Sequence, residues 1–158
     1  MFNFFKKKDL ELVSPVSGTM IDLTEVPDNV FASGMMGEGV AFKPETSQIV
    51  APADGTIAMI PETLHAFGLT LGNGAEILVH VGIDTVSLAG KGYKVLKKAG
   101  DRVKTGDVII EIDSKFIQEE GYSLTTPMII TNSSEYQIEL HLNERVTSGE
   151  TLVAKVLA

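Results

Sequence analysis

Short runs of β-branched and aliphatic residues, separated at close intervals by turn-forming residues, constrain the fold of this chain most. Three such runs occupy residues 77–81, 108–112 and 152–156, and the turn Pro52-Ala53-Asp54-Gly55 precedes another run. Many short strands joined by frequent turns are typical of antiparallel sandwiches and barrels. The pattern therefore predicts an all-β fold, an antiparallel β-sandwich or barrel.

Signals for helices are few. Asp113-Ser114 is a capping signal for a short helix over residues 116–120 that Gly121 would end, and Pro27-Asp28 begins a second single turn. The chain has 158 residues and shows no linker or low-complexity segment. We therefore expect a single domain over residues 10–158, preceded by a flexible N-terminal tail over residues 1–9.

Two segments of the sequence occur twice. Residues 13–19, VSPVSGT, recur as residues 50–56, VAPADGT. Residues 101–107, DRVKTGD, recur as residues 144–150, ERVTSGE. Each unit has the pattern of strand, tight turn and strand, with glycine at the turn. The repeats predict internally duplicated hairpins that pack face to face in a small sandwich.

The composition excludes several classes of protein. Cysteine is absent, so disulfide frameworks, thiolate zinc sites and thiol nucleophiles are ruled out. A net charge of −8 argues against a nucleic-acid binder. No stretch approaches the ~20 apolar residues of a bilayer span, and residues 1–8, MFNFFKKK, are too short in their apolar part for a secretory signal. We expect a cytoplasmic protein, and weak contact of this basic, phenylalanine-rich start with an anionic membrane stays open.

Two of the three histidines lie where neighbouring strands are expected. In the run 77–81 the β-branched residues share one face, so His80 and Leu78 turn to the other. Residues 63–67, TLHAF, predict a strand that carries His65, and the Asn73-Gly74 pair between the two runs is a strong hairpin signal. The hairpin would bring the two imidazoles close together.

Two histidines without a third ligand make a poor zinc site but a suitable phosphoryl-transfer site. Catalytic zinc normally takes three protein ligands. A neutral imidazole can attack phosphorus when a carbonyl holds the proton on its other nitrogen, and a second imidazole can donate to the phosphoryl oxygens. The third histidine, His141, alternates with leucines in residues 139–143 and is interpreted as a surface residue.

Residues 74–86, GAEILVHVGIDTV, resemble the phosphohistidine signature of the enzyme IIA domains of the glucose family, in the bacterial phosphoenolpyruvate-dependent sugar phosphotransferase system. The resemblance extends from about residue 10 to the C-terminus. Further segments that look like family landmarks follow in family order, at residues 14–18, 26–31, 36–39, 51–56, 63–67 and 100–107.

The resemblance implies a role for each matching residue. His80 would accept a phosphoryl group from the histidine-containing phosphocarrier protein and pass it to a cysteine on the IIB domain of a sugar permease. His65 would be the second active-site histidine and Thr63 its hydrogen-bonding neighbour, while the carbonyl of Gly82 would hold the tautomer of His80. The docking face for partners would consist of Asp28, Val30, Phe31, Met35, Met36, Leu78 and Asp84. Pro61, two residues before Thr63, stands where other members carry a bulky apolar residue, and this is a departure from the family pattern at the docking face.

The same resemblance implies that no metal or organic cofactor is needed. It also implies a monomer that meets the membrane only transiently, through the permease.

Two other classes of protein stay open at this point. A zinc hydrolase on a related β-scaffold would need an H-x-H pair, whereas this chain reads His80-Val81-Gly82. Zinc could still bind weakly between His65 and His80, completed by water or by a partner's carboxylate. A biotinyl or lipoyl carrier would present a lysine at a hairpin tip, usually beside methionine or aspartate, and no lysine of this chain has that setting.

Overall fold

The computed structural model describes residues 8–158, and strands form most of its regular structure. In chain order the strands are β1 (Leu10–Val13), β2 (Gly18–Asp22), β3 (Glu38–Pro44), β4 (Gln48–Val50), β5 (Gly55–Met59), β6 (Ala66–Leu71), β7 (Glu76–His80), β8 (Tyr93–Val95), β9 (Arg102–Val103), β10 (Val108–Ile112), β11 (Thr126–Ile130), β12 (Gln137–Leu140), β13 (Arg145–Val146) and β14 (Leu152–Leu157). The helices are α1 (Asn29–Ala32) and α2 (Ser114–Glu119), and short 3-10 turns cover Leu23–Glu25, Thr85–Leu88 and Ser133–Glu135.

The strands form three antiparallel sheets. The largest has eight strands in the order β13-β2-β3-β11-β7-β6-β5-β9, and the two smaller sheets have the orders β1-β14-β12 and β4-β10-β8. One apolar core joins them, because Leu12 and Ile110 of the smaller sheets belong to the same buried cluster as Val79 and Met128 of the large sheet. The predicted antiparallel all-β fold with two short helices is confirmed.

The repeated segments relate two halves of the molecule by an approximate twofold axis. The backbone N–H of Val13 donates to the carbonyl of Pro52 at 2.9 Å, and that of Val50, the matching residue, donates to the carbonyl of Pro15 at 2.8 Å. The order of the large sheet follows the same symmetry, since β2, β3 and β11 correspond to β5, β6 and β7. The predicted internal duplication is therefore present.

The duplicated units are not hairpins in themselves. The strands of each unit pair with strands of other units: Gly18 lies opposite Val146, and Gly55 lies opposite Val103. Each VxPxxGT segment thus meets one RV segment across an antiparallel ladder. The prediction of duplicated hairpins is corrected to duplicated strand–turn–strand units, because the turns between their strands direct each strand into a different sheet.

Both predicted helices begin at the expected capping residue. The Asp113 carboxylate accepts a hydrogen bond from the Phe116 backbone N–H at 3.1 Å, and the Asp28 carboxylate accepts one from Val30 N–H at 2.9 Å. These bonds satisfy N–H groups that have no partner inside the helix. The helix over residues 116–120 was predicted slightly late, since α2 spans Ser114–Glu119.

The hairpin predicted from Asn73-Gly74 is present as β6 and β7. Its register places Ala66 opposite His80. The strand predicted over residues 63–67 is wrong at its start, because β6 begins only at Ala66. Leu64 has a φ of 61°, a left-handed conformation that an extended strand does not contain. Thr63 and His65 therefore lie on a tight loop rather than on a pleated strand.

A second, smaller apolar cluster lies apart from the main core. Its buried members are Leu23, Val26, Phe31, Ala41, Ile83 and Ile129, with Ile21, Met36 and Leu78 packed against them. The outward residues of β7 alternate with those of the main core, so Leu78 reaches this cluster while Ile77 and Val79 reach the other. The segment 22–37 thus covers part of the outer face of the large sheet.

The predicted tail falls largely outside the described residues, since the structure describes only Lys8 and Asp9 of residues 1–9. The Lys8 carbonyl accepts a hydrogen bond from the Asn73 side chain at 2.9 Å, and the Asp9 carboxylate accepts one from the Ala158 N–H at 2.8 Å. Within residues 8–158, no helix has the length and apolar character that a membrane crossing requires.

Candidate active site

His80 is the last residue of β7 and has one ring nitrogen tied to the main chain. Its Nδ1 lies 2.8 Å from the carbonyl oxygen of Gly82. A carbonyl can only accept, so Nδ1 carries the proton and the neutral ring keeps its lone pair on Nε2. The side chain is half-buried, as period two predicts when Val79 and Val81 fill the core. One nitrogen of His80 is therefore prepared to act as a nucleophile.

His65 lies directly beside His80. The ring centroids are 4.8 Å apart and the ring planes meet at 79°, edge to face. The backbone N–H of Val81 donates to the carbonyl of His65 at 2.7 Å, which fixes the loop of His65 to the end of β7. The predicted proximity of the two imidazoles is confirmed, and the predicted hydrogen bond to Thr63 is present, with Oγ1 2.8 Å from Nδ1 of His65.

Both imidazoles are held toward the neutral form. Burial lowers the pKa of His65 below its ordinary value of 6.5, and the neighbouring His80 lowers it further. Burial also lowers the pKa of His80, although the hydrogen bond to Gly82 and the charges of Asp28 and Asp84 act in the opposite direction. The two rings are therefore largely uncharged near neutral pH, the state in which an imidazole nitrogen can attack an electrophile.

The predicted docking residues differ in exposure. Met35 is 80% exposed and Val30 is 48% exposed, whereas Phe31 is only 6% exposed. The Phe31 ring packs against the His80 ring, with centroids 5.1 Å apart. Phe31 therefore offers little surface to a partner, because the single turn of α1 directs it inward and its neighbour Val30 outward. Met36 and Leu78 are half-buried in the small outer cluster.

The two predicted acidic residues lie within electrostatic reach of His80. Asp28 caps α1 and is half-buried, and Asp84 is exposed and has a φ of 60°. Both carboxylates raise the pKa of His80 by their charge. A partner that approaches His80 therefore meets an apolar surface with negative charge at its edge.

Sequence reasoning missed several residues at this site. Thr85 and Tyr93 are buried, and both hydroxyls donate to the carbonyl of Val81, beside His80. Two exposed residues add apolar surface. Val86 lies in the turn after Asp84, and the Met59 side chain lies over Gly68, which is opposite Leu78 in the β6–β7 ladder. Thr85 and Val86 stand inside the signature 74–86, so that motif could have pointed to them. Nothing in the sequence indicated Tyr93 or Met59.

The site lacks the donors of a catalytic zinc centre. Within residues 8–158, no group of three or more histidine, cysteine, aspartate or glutamate side chains is arranged to hold a metal ion. The third histidine, His141, follows β12 in a smaller sheet, and its Nε2 lies 2.7 Å from a Glu139 carboxylate oxygen. The pair of histidines is thus suited to attack and hydrogen bonding rather than to three-ligand metal chemistry.

Comparison with known proteins agrees with this geometry. The family model described as the phosphoenolpyruvate-dependent sugar phosphotransferase system, EIIA 1, matches residues 10–136. The glucose permease IIA of Mycoplasma capricolum has a similar structure, with a TM-score of 0.88 and 36% sequence identity over 94% of this chain and 96% of that chain.

Curated relatives are of two kinds. The glucose-specific EIIA component of Oceanobacillus iheyensis is 41% identical over 98% of this chain and 98% of its own length. The glucoside-specific EIICBA component of Staphylococcus carnosus is 42% identical over 90% of this chain, which spans only 20% of that longer protein. The chain belongs to the EIIA 1 family of the phosphoenolpyruvate-dependent sugar phosphotransferase system.

Proposed function

We propose that this protein is a phosphoryl carrier that accepts a phosphoryl group on His80 and passes it to the IIB domain of a sugar permease. The donor would be the histidine-containing phosphocarrier protein, and the acceptor a cysteine thiolate. The observation that carries the proposal is the hydrogen bond from Nδ1 of His80 to the Gly82 carbonyl, because it leaves Nε2 as the reactive nitrogen next to a second imidazole.

In the first step Nε2 of His80 attacks the phosphorus of the donor's phosphohistidine. A new P–N bond forms, the donor's P–N bond breaks, and its electron pair returns to the donor's imidazole. The Thr63 hydroxyl, donating to Nδ1 of His65, would leave a proton on Nε2 of that ring, which can donate to a phosphoryl oxygen. This interaction would stabilise the charge that develops on the transferring group.

In the second step the acceptor thiolate attacks the same phosphorus from the opposite side. The P–S bond forms while the P–Nε2 bond breaks, and His80 regains its lone pair. The carboxylates of Asp28 and Asp84 lie within electrostatic reach of His80 and would repel a phosphoryl group held there. That repulsion would keep the phosphorylated state reactive and favour onward transfer.

We propose that the chain itself does not select the sugar. Its relatives include glucose-specific, glucoside-specific and N-acetylglucosamine-specific components, and several of these are longer proteins in which the matching region is one part. A carrier shared among such systems needs a surface for proteins rather than a sugar pocket. The exposed apolar residues around His80, with acidic residues at their edge, fit that requirement.

The proposal includes a single domain over residues 10–158 that works as a cytoplasmic monomer and approaches the membrane only when it meets the permease. It requires no metal or organic cofactor. Weak zinc binding between His65 and His80 stays a prediction.

The first test is phosphorylation in a reconstituted system. The protein is incubated with phosphoenolpyruvate and the general phosphotransfer proteins, and acid-labile phosphate is measured. We expect one phosphoryl group per chain in the wild type and none in His80→Ala. His141→Ala is the matched control, because this histidine directly follows β12, a strand of a different sheet, and it should be phosphorylated normally. Label that survives in His80→Ala would overturn the assignment.

A second variant tests the role of His65. His65→Ala should still accept phosphate, because the nucleophilic nitrogen belongs to His80, but it should donate to the IIB domain at least about tenfold more slowly. Single-turnover transfer to a purified IIB domain measures the rate. Equal rates of donation in the wild type and the variant would contradict the proposed stabilising role.

A further inference from the structure

The three peptide units that follow His80 are each anchored by a hydrogen bond. The N–H of Val81 donates to the His65 carbonyl at 2.7 Å, and the N–H of Ile83 donates to the Ser123 carbonyl at 3.1 Å. The peptide between them carries the carbonyl of Val81, which accepts from two side-chain hydroxyls. The middle peptide is therefore held by two side chains other than His80 itself, and a substitution can remove either of them.

The two hydroxyls saturate one carbonyl oxygen. Thr85 Oγ1 lies 2.9 Å from the Val81 oxygen, and the Tyr93 hydroxyl lies 2.7 Å from it. A carbonyl oxygen has two lone pairs, so both are used. Both side chains are buried, and burial raises the pKa of Tyr93, so its hydroxyl remains a donor. Buried hydrogen bonds are strengthened by the low local dielectric, so the two donors fix the acceptor firmly.

The middle peptide adjoins the peptide that carries the Gly82 carbonyl, and the two meet at the Gly82 Cα. Gly82 has a φ of 91°, and a Cβ added there would lie 2.5 Å from Cγ2 of Thr85 and 3.1 Å from the Ser123 oxygen. The turn is thus packed closely against Thr85 on one side and Ser123 on the other. The Gly82 oxygen belongs to the next peptide unit, which is joined to the Val81–Gly82 peptide at the Gly82 Cα. A shift of the Val81–Gly82 peptide would therefore change the backbone angles at Gly82 and lengthen the hydrogen bond to Nδ1 of His80.

We propose that Thr85 and Tyr93 are positioning residues that keep the proton of His80 on Nδ1 by fixing the Val81 carbonyl, and with it the Gly82 carbonyl. Neither side chain needs to touch the phosphoryl group. This inference rests on the proposed function only for its effect on transfer, since the tautomer of His80 exists whether or not the residue is phosphorylated.

Tyr93→Phe removes one of the two hydroxyls and changes no other atom. In the unphosphorylated protein, nitrogen-15 NMR of the imidazole measures the ratio of the Nδ1–H to the Nε2–H tautomer of His80. We expect that ratio to fall about threefold to tenfold, the equilibrium equivalent of one hydrogen bond. The rate of phosphoryl acceptance should fall in proportion to the fraction of His80 that leaves the Nδ1–H tautomer, with an unchanged KM for the donor, because the docking residues are untouched.

Tyr136→Phe is the matched control. Its hydroxyl also donates to a backbone carbonyl, that of Asn73, at 2.6 Å, but at the opposite end of the β6–β7 hairpin. This variant loses the same kind of bond, so it should lose similar stability while the His80 tautomer ratio and the transfer rate stay at wild-type values.

Substitutions of Thr85 separate the hydroxyl from the packing. Thr85→Ser keeps the hydroxyl and removes the methyl group, whereas Thr85→Val keeps the shape and removes the hydroxyl. We expect Thr85→Ser to retain the tautomer ratio and Thr85→Val to lower it, with a larger loss when Thr85→Val is combined with Tyr93→Phe. Thermal unfolding confirms that each variant is folded before it is compared.

A wild-type tautomer ratio in both Tyr93→Phe and Thr85→Val would overturn the inference, even if transfer is slower, because slower transfer alone would indicate a structural role. A shifted ratio in a protein that accepts no phosphate would support the inference and contradict the proposed function instead.

Discussion

The Nδ1 atoms of His65 and His80 face different partners, a threonine hydroxyl and a peptide carbonyl. The carbonyl can only accept, so it selects one tautomer of His80. The Thr63 hydroxyl can donate or accept, so it can pair with either tautomer of His65. Two residues of the same type thereby acquire different chemistry at a separation of 4.8 Å between ring centroids.

The lowered pKa values of the two histidines predict a pH dependence of stability. The unfolded chain, with ordinary imidazoles near 6.5, binds more protons than the folded protein just below that pH. The free energy of unfolding should therefore rise with pH between about 5 and 7. The stability that the two neutral histidines contribute should decrease as the pH falls through that range. Denaturant titrations at several pH values measure this slope, and His80→Gln should reduce it. An equal slope in that variant would contradict the prediction.

Gly82→Ala should destabilise the protein more than a substitution at a glycine with the same backbone conformation. Gly121 has a φ of 92°, and a Cβ added there would meet no atom within 4 Å, whereas at Gly82 it would lie 2.5 Å from Thr85. Gly121→Ala should cost about 1 kcal/mol from backbone strain alone, and Gly82→Ala about 1–3 kcal/mol more. Denaturant unfolding of both variants measures the difference, and equal losses would show that the close packing at Gly82 is unimportant.

At the scale of elements, the site lies where a loop, a hairpin and a single helical turn converge. The left-handed Leu64 turns the loop of His65 toward the end of β7, and the register of β6 with β7 places Ala66 opposite His80. The turn α1 then brings the Phe31 ring against the imidazole of His80. Each element is short, so the position of the site depends on contacts between elements rather than on any one of them.

Neighbouring residues of α1 should respond to substitution in opposite ways. Phe31→Ala should cost about 3 kcal/mol of stability, because Phe31 is buried in the small outer cluster. Val30→Ser should change stability by no more than about 0.5 kcal/mol, because the side chain is 48% exposed, but should raise the KM for phosphocarrier or IIB. Unfolding and transfer kinetics of the two variants test this, and a normal KM in Val30→Ser would remove Val30 from the docking face.

At the scale of the whole molecule, the two duplicated halves have the same strand order, but the histidine pair lies in only one of them. In the β6–β7 ladder Ala66 lies opposite His80, and in the equivalent β3–β11 ladder Gly39 lies opposite Ile129. Ile129 therefore occupies the position equivalent to His80. Ile129 is fully buried under the small outer cluster. The segment 22–37 covers the equivalent face on that side, and the histidine pair therefore occurs once among the described residues.

The net charge of −8 and the acidic edge of the site predict that transfer depends on salt. The second-order rate constant for acceptance from a basic partner should fall about threefold to tenfold when ionic strength is raised from about 0.05 to about 0.5 M. Asp28→Asn and Asp84→Asn should weaken that dependence. Asparagine retains the helix cap at position 28 and tolerates the left-handed backbone at position 84, so neither change should unfold the site.

Glu150→Gln is the charge control, because this residue is exposed in the turn before β14 and is not among the groups that shift the pKa of His80. It removes the same charge and should leave most of the salt dependence in place. If all three variants change the dependence equally, the total charge matters and the acidic edge does not.

The short β-branched runs, the capping aspartates and the Asn73-Gly74 turn were enough to predict an antiparallel fold, two short helices and the β6–β7 hairpin, because each is a local preference of the backbone. The alternation along β7 likewise placed His80 on the outer face. The strand over residues 63–67 was predicted wrongly, since alternation assumes an extended backbone and Leu64 is left-handed.

The sequence by itself determined the residue types and the local periodicity, and therefore the strands, the caps and the pair of histidines. The tertiary structure alone decided that the repeated units pair across the molecule, that Phe31 turns inward, and that Tyr93 reaches the carbonyl beside His80. These contacts join residues far apart in the chain, and their geometry depends on how sheets and loops pack. No local pattern of residues contains that information.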